Sequence, residues 1–153
     1  ERSGCVLHTG LQAFQGRLMS TEIIGKRGER LAAMYLAQNG YHILHTNYRN
    51  GHQEIDIIAE DDIAIVFCEV KTRSALPTKA SPYGRPSRAV TMQKQKNLSM
   101  AARAYIKQYP PLGKRLRFDV IEIYLRPGSD GNAATDILKL HHIRNAFPVT
   151  PLY

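Results

Sequence analysis

Two carboxylates and an amine interrupt neighbouring apolar runs: Asp56 in GHQEIDIIAE, then Glu69 and Lys71 in IAIVFCEVKTR. The run from Ile63 to Val70 is almost wholly apolar, the pattern of a strand buried on both faces. An acid and an ammonium ending such a strand are costly without charge partners. A two-residue turn at Asp61-Asp62 sets Glu60 opposite Ile63 and Asp56 opposite Phe67, making Glu69 the diagonal neighbour of Asp56. Diagonal neighbours lie roughly 7–8 Å apart, a span that one cation bridges. Lys71 leaves the same face, next in the alternation after Glu69. Glu54 has the same parity as Asp56 and faces Glu69 in this register. That makes it a further ligand candidate, or an acid partnered by a basic side chain at the mouth of the strand.

Such a constellation suits metal-assisted hydrolysis of a phosphodiester. Mg²⁺ is content with one or two carboxylates, several waters and phosphate oxygens, so Asp56, Glu69 and the Val70 carbonyl are a sufficient protein ligand set, with Mn²⁺ as a substitute. The ion would polarise the phosphoryl oxygen and activate a water. Lys71 would orient that water or offset charge in the transition state.

The elements that must position these residues can be read from periodicity. A helix is predicted from about Ser20 to Asn39, with Ile24, Gly28, Leu31, Ala32, Tyr35 and Leu36 as its apolar stripe and Gly40 as its stop. Glu29 lies at the edge of that stripe, either reaching toward the sheet or solvated. Gly25 and Gly28 each cost about 1 kcal/mol against alanine inside a helix, which signals a close approach to phosphate or to another element, or a frayed first turn. Tyr41–Tyr48, Gln53–Glu60, Ile63–Arg73, Leu116–Leu125 and Ile137–Ile143 read as strands. Pro77–Pro86 and Arg126–Ala134 read as loops, and Pro110-Pro111 ends a second helix that starts at Ser87 or Thr91. One domain over residues 19–146 is expected, with an extension at 1–18 and an irregular tail at 147–153.

The 153 residues carry 21 Lys and Arg against 13 Asp and Glu, a formal charge of +8. With three of the acids assigned to one site, the remaining surface is more basic still and favours a polyanion such as DNA. Arg73, Arg85, Arg88, Lys94 and Lys96 are the candidate phosphate contacts, since they follow the Glu69–Lys71 strand and open the second helix. Cys5 and Cys68 suggest no disulfide framework, and no apolar stretch is long enough to cross a membrane, so a cytoplasmic protein with no membrane partner is expected. The pairs His42/His45 and His141/His142 send their members to opposite strand faces, unlike a zinc site. P-loop, GxSxG and Cys-His nucleophile patterns are all missing, which leaves ATP hydrolysis and acyl transfer without support. Asp119 reads as a salt-bridge partner for a nearby Arg or Lys.

Asp56 followed by Glu69-Val70-Lys71 resembles the D…ExK core of the PD-(D/E)XK nuclease superfamily. The segments GKRGERLAAMYLAQNGYHIL, NYRNGHQEIDIIAEDD, VFCEVKTR, YGRPSRAVTMQKQKNLSMAARAYI and RFDVIEI together resemble the bacterial YraN-like family, distantly similar to archaeal Holliday-junction resolvases. The likeness runs from about Gly25 to Ile123. It implies an α/β, restriction-endonuclease-like fold with a central mixed sheet flanked by helices. It also implies Asp56, Glu69 and Lys71 as the core, Glu29 as the helical acid of resolvase-like members, and a polar residue at Lys94 or Gln95 near the scissile phosphate. Position 55 is Ile where the superfamily has Pro, as is usual for this branch. The resulting expectation is a metal-dependent DNA endonuclease for which branched or junction DNA and a homodimer are open options. Its rivals are a non-catalytic nucleic-acid-binding module on the same fold and an interaction scaffold.

Overall fold

The computed structural model describes residues 8–73, 90–126 and 136–149, with side chains from Thr21 onward. The order of elements is α1 (His8–Gln38), β1 (His42–Asn50), β2 (Gln53–Glu60), β3 (Ala64–Arg73), α2 (Met92–Gln108), β4 (Arg115–Leu125) and β5 (Ile137–Phe147). The first helix begins well before the predicted Ser20. The leading segment contains no proline, and Gly10 and Gly16 weaken a helix without removing a backbone donor from it. The last strand likewise runs past Ile143 to Phe147, whose ring stacks on Phe118 at 4.7 Å.

The strands form one five-stranded sheet in the order β1-β2-β3-β4-β5. All neighbours are antiparallel except β3 and β4, whose parallel pairing is connected through α2. Alternate residues of β3 supply two cores. Ile65 and Phe67 pack with Leu98, Ala102 and Tyr105 of α2, whereas Ala64, Val66 and Cys68 pack with Leu31, Ala32 and Leu36 of α1. An α/β mixed sheet with a helix on each face results, an architecture consistent with a restriction-endonuclease-like fold. Cys68 is a fully buried core residue, and burial pushes its thiol pKa well up. No helix among the described residues is long and apolar enough to cross a membrane.

The β2–β3 turn differs from its predicted place. Asp61 pairs with Ala64 through a backbone bond of 3.0 Å, and its Oδ1 accepts the N–H groups of Ile63 at 2.8 Å and Ala64 at 2.7 Å. This side-chain turn puts Asp62 and Ile63 at the tip in place of Asp61 and Asp62. Glu60 therefore faces Ile65 and Ile58 faces Phe67. Face parity is unchanged, but the ladder continued outward sets Asp56 directly across from Glu69, not diagonal to it. It also carries Glu54 away from Glu69.

Candidate functional site

The hydrogen-bonded pairing of β2 with β3 stops at Ile57 and Cys68. In regular alternation the Val70 N–H would next go to the Ile55 carbonyl. It donates instead to Asp56 Oδ2 at 2.7 Å. Beyond Ile57 the strand rotates away from its partner: Ile55 and Ile57, two residues apart, lie in the cores on opposite faces. The Asp56 carboxylate occupies the opening where the strands part.

Glu69 is the acid across that opening, with a side chain only 5% exposed. Lys71 Nζ, next on the same face of β3, donates to its Oε1 at 2.9 Å. Lys94, in the first turn of α2, brings its Nζ to 3.1 Å from Oε2. That second contact has the distance of an ion pair but not the directionality of a hydrogen bond, so Oε2 is buried without a hydrogen-bond partner. Thr91 fixes the helix start here: its hydroxyl accepts the Lys94 N–H at 3.2 Å.

The third acid arrives on α1. A Cβ at Gly28 would stand 1.8 Å from Thr72 Oγ1, so only glycine lets the helix lie this close to β3. Its neighbour, Glu29, is half-buried. Gly25 has nothing within 4 Å, so among the described residues the close approach to another element is seen at Gly28.

Asp56 registers all these charges. Burial, then the negative charges of Glu69 and Glu29, push its carboxyl from 3.8 up to about 7, opposed by the Val70 N–H and by Lys94. A carboxyl held near 7 is only partly ionised at neutral pH, and a cation beside it would favour its charged form.

Among the described residues no three His, Cys, Asp or Glu side chains are grouped closely enough to enclose a metal. The site offers two carboxylates, Asp56 and Glu69. It fits a hard divalent ion of the Mg²⁺ type that keeps most of its waters. The buried Oε2 of Glu69, which lacks a hydrogen bond, and the Asp56 carboxyl are the donors such an ion would use, with the Val70 carbonyl next in sequence after Glu69.

Other candidates are placed elsewhere. Glu54 turns toward β1, where Arg49 reaches its Oε1 at 3.4 Å. Lys96 is exposed, and Arg73 ends β3 half-buried. The Gln95 amide donates to the Val90 carbonyl at 3.0 Å. Arg85 and Arg88 lie outside the described residues. Asp119 is level with Cys68 on the neighbouring strand but projects to the α1 face, since Phe118 and Val120 on either side enter the other core. There it accepts from Arg117 Nε at 2.8 Å and the second guanidinium nitrogen at 3.0 Å, and from the Asn145 N–H at 2.9 Å; His142 Nε2 lies 2.8 Å away. Burial pushes its carboxyl up, but these bonds outweigh that and hold it below the ordinary value.

Glu122 was missed in the sequence. It pairs with Lys71 across the parallel register, is 8% exposed, and has His141 Nδ1 at 3.6 Å. The available signal was an acid inside a doubly buried strand, the same signal that singled out Glu69.

The model of the uncharacterised protein family UPF0102 matches residues 28–123, which include every residue of this site. The UPF0102 protein of Chlorobium phaeobacteroides (strain BS1) is 44% identical over 124 residues, 81% of this chain and 93% of its own length. That of Chloroherpeton thalassium is 40% identical over 134 residues, 87% of this chain and all (100%) of its own. That of Caldicellulosiruptor saccharolyticus is 38% identical over 129 residues, 84% of this chain and 100% of its own. A match over most of the chain and nearly all of each relative makes this protein a member of the UPF0102 family.

Proposed function

We propose that this chain is a metal-dependent endonuclease of the PD-(D/E)XK type that hydrolyses phosphodiester bonds in DNA. The observation that carries the reading is a pair of buried acids at one opening: Glu69, whose Oε2 has the Lys94 charge at 3.1 Å but no hydrogen bond, and Asp56, pushed up to about 7. Buried acids with an unsatisfied oxygen and a strongly raised carboxyl pKa are concentrated at ligand-binding and catalytic sites, which supports the reading.

Asp56, Glu69 and the Val70 carbonyl would hold a Mg²⁺-class ion, which would supply Lewis acidity at a phosphoryl oxygen and lower the pKa of a water. Asp56 is aimed by the Val70 N–H, so the same short peptide that positions one ligand also carries the other. Lys71 holds Glu69 in place and presents a positive charge where the attacked phosphate gains negative charge. Glu29, carried in by the Gly28–Thr72 contact, adds negative potential beside Asp56 and favours a cation there. The formal charge of +8, with three of the 13 acids at the site, favours a polyanionic substrate. Branched or junction DNA, cut by a homodimer in the cytoplasm, is the narrower form of the reading.

The two ammonium groups already on Glu69 favour one competing reading, a module that binds nucleic acid without cutting it. It would bind in a salt-sensitive way and yield no metal-dependent product. End-labelled four-way junction, flap, duplex and single-stranded DNA incubated with Mg²⁺, Mn²⁺ or EDTA separates the two. Product that requires both metal and Asp56 is expected. Binding at low salt with no cleavage of any of the four would support the module instead.

A further inference from the structure

We infer that Lys94 is a built-in counter-ion that occupies the cation position of the metal-free site, so that metal binds by exchange with its ammonium group. The inference rests on the metal-dependent reading above. Two lysines neutralise Glu69, but they are not equivalent. Lys71 belongs to the same strand as Glu69 and makes a directed hydrogen bond to Oε1 at 2.9 Å. Lys94 comes from a different element and touches Oε2 at 3.1 Å without a hydrogen bond, although both side chains are 34% exposed. One is anchored, while the other leans in by charge alone.

The oxygen that Lys94 faces is the one with no hydrogen-bond partner, and therefore the donor best placed for a divalent ion. An ion on that oxygen would face an ammonium at contact distance, and like charges repel strongly in a site with little water. The two cations are thus alternatives at a single atom. Lys94 can leave: its backbone is fixed by the Thr91 cap, while its stem is free to rotate toward solvent. Lys71 is equally exposed, so what holds it is its directed hydrogen bond to Oε1, which Lys94 lacks. Glu69, Glu29 and Lys94 are the charges that act on Asp56, and Lys94 is the positive one among them, which gives the counter-ion its role before metal arrives.

The test is calorimetric titration of the full chain with Mn²⁺ alone, comparing wild type, Lys94→Gln, Lys94→Arg and Asp56→Asn. Lys94→Gln is expected to bind Mn²⁺ roughly tenfold more tightly than wild type, the scale of removing one like charge at close range. Lys94→Arg retains the charge and should restore near wild-type affinity. In EDTA, Lys94→Gln should lower the melting temperature, and that loss should vanish in a Glu69→Gln background, which isolates the pair from general helix effects. Equal Mn²⁺ affinity in wild type and Lys94→Gln, with Asp56→Asn still losing the metal, would overturn the exchange role and leave the metal site standing. Mn²⁺ binding that survives Asp56→Asn would overturn the metal site itself, and the exchange role with it.

Discussion

Glu69 and Asp119 stand on adjacent strands, one step apart in level, both nearly inaccessible to water, yet the protein treats them oppositely. Asp119 is surrounded by groups that complete it: Arg117, His142 and the Asn145 N–H, with Arg117 and Arg144 in turn donating to the Tyr41 hydroxyl. Its carboxyl titrates below the ordinary range. On the other face, Glu69 has an oxygen without a hydrogen bond, and Asp56 opposite it is pushed up to about 7. A buried acid is therefore not evidence of a site. The distinguishing feature is whether the fold satisfies it.

The largest effect expected from breaking this contrast is on folding. Asp119→Ala strands a guanidinium, a histidine and a backbone N–H, and should destabilise the protein by about 3–5 kcal/mol in urea melts. Asp56→Asn keeps an oxygen to accept the Val70 N–H and removes a charge the interior disfavours, so it should leave stability unchanged or raised at neutral pH while abolishing metal binding. A similar loss in both variants would erase the distinction.

Next in size is the seating of α1. Gly28→Ala drives a methyl into Thr72 and should cost about 1–3 kcal/mol through overpacking. Thr72→Ala in the same chain removes the Oγ1 and Cγ2 atoms in the way and should recover part of the loss. Additive effects in this double-mutant cycle would argue against the contact.

The two acids should also tilt stability in opposite directions with pH. Asp119 is lowered, so its contribution is present above its unfolded value of 3.8 and is lost as pH falls through the folded one. Asp56 is raised, so its protonated form stabilises the fold at acid pH, and that advantage fades as pH rises from 3.8 through about 7. Asp56→Asn should gain on wild type in melting temperature between pH 5 and pH 8. A constant difference across that range would place the shift on another group. The smallest effect belongs to Glu54→Gln, which disturbs only the half-exposed pair with Arg49 and should change stability by less than about 1 kcal/mol, with Mn²⁺ affinity unaltered.

Much of this was legible in the sequence where it depended on short-range periodicity. The doubly buried run of β3 and the shared face of Glu69 and Lys71 follow from alternation, which a shift of the turn by one residue does not disturb, whereas Asp56 turns its carboxylate into the opening between the strands. The turn itself was misplaced because Asp61 spends its carboxylate on two backbone N–H groups, a choice that composition does not reveal. Glu54 was consequently put opposite Glu69, whereas Arg49 on the other neighbouring strand claims it. Lys94 against Glu69 and Glu122 beside Lys71 depend on how α2 returns across the sheet and on the parallel register. Both are long-range facts that no local pattern encodes. Gly28 announced a close approach, but only the packed structure names Thr72 as its cause.

The most direct measurement is the melting temperature of wild type, Asp56→Asn and Glu54→Gln at pH 8 with and without saturating Mn²⁺. A ligand that binds only the folded protein raises its stability by mass action. Mn²⁺ should raise the melting temperature of wild type and Glu54→Gln alike and leave Asp56→Asn unmoved. An equal rise in all three would show that the parted strands at Asp56 and Glu69 do not hold the metal.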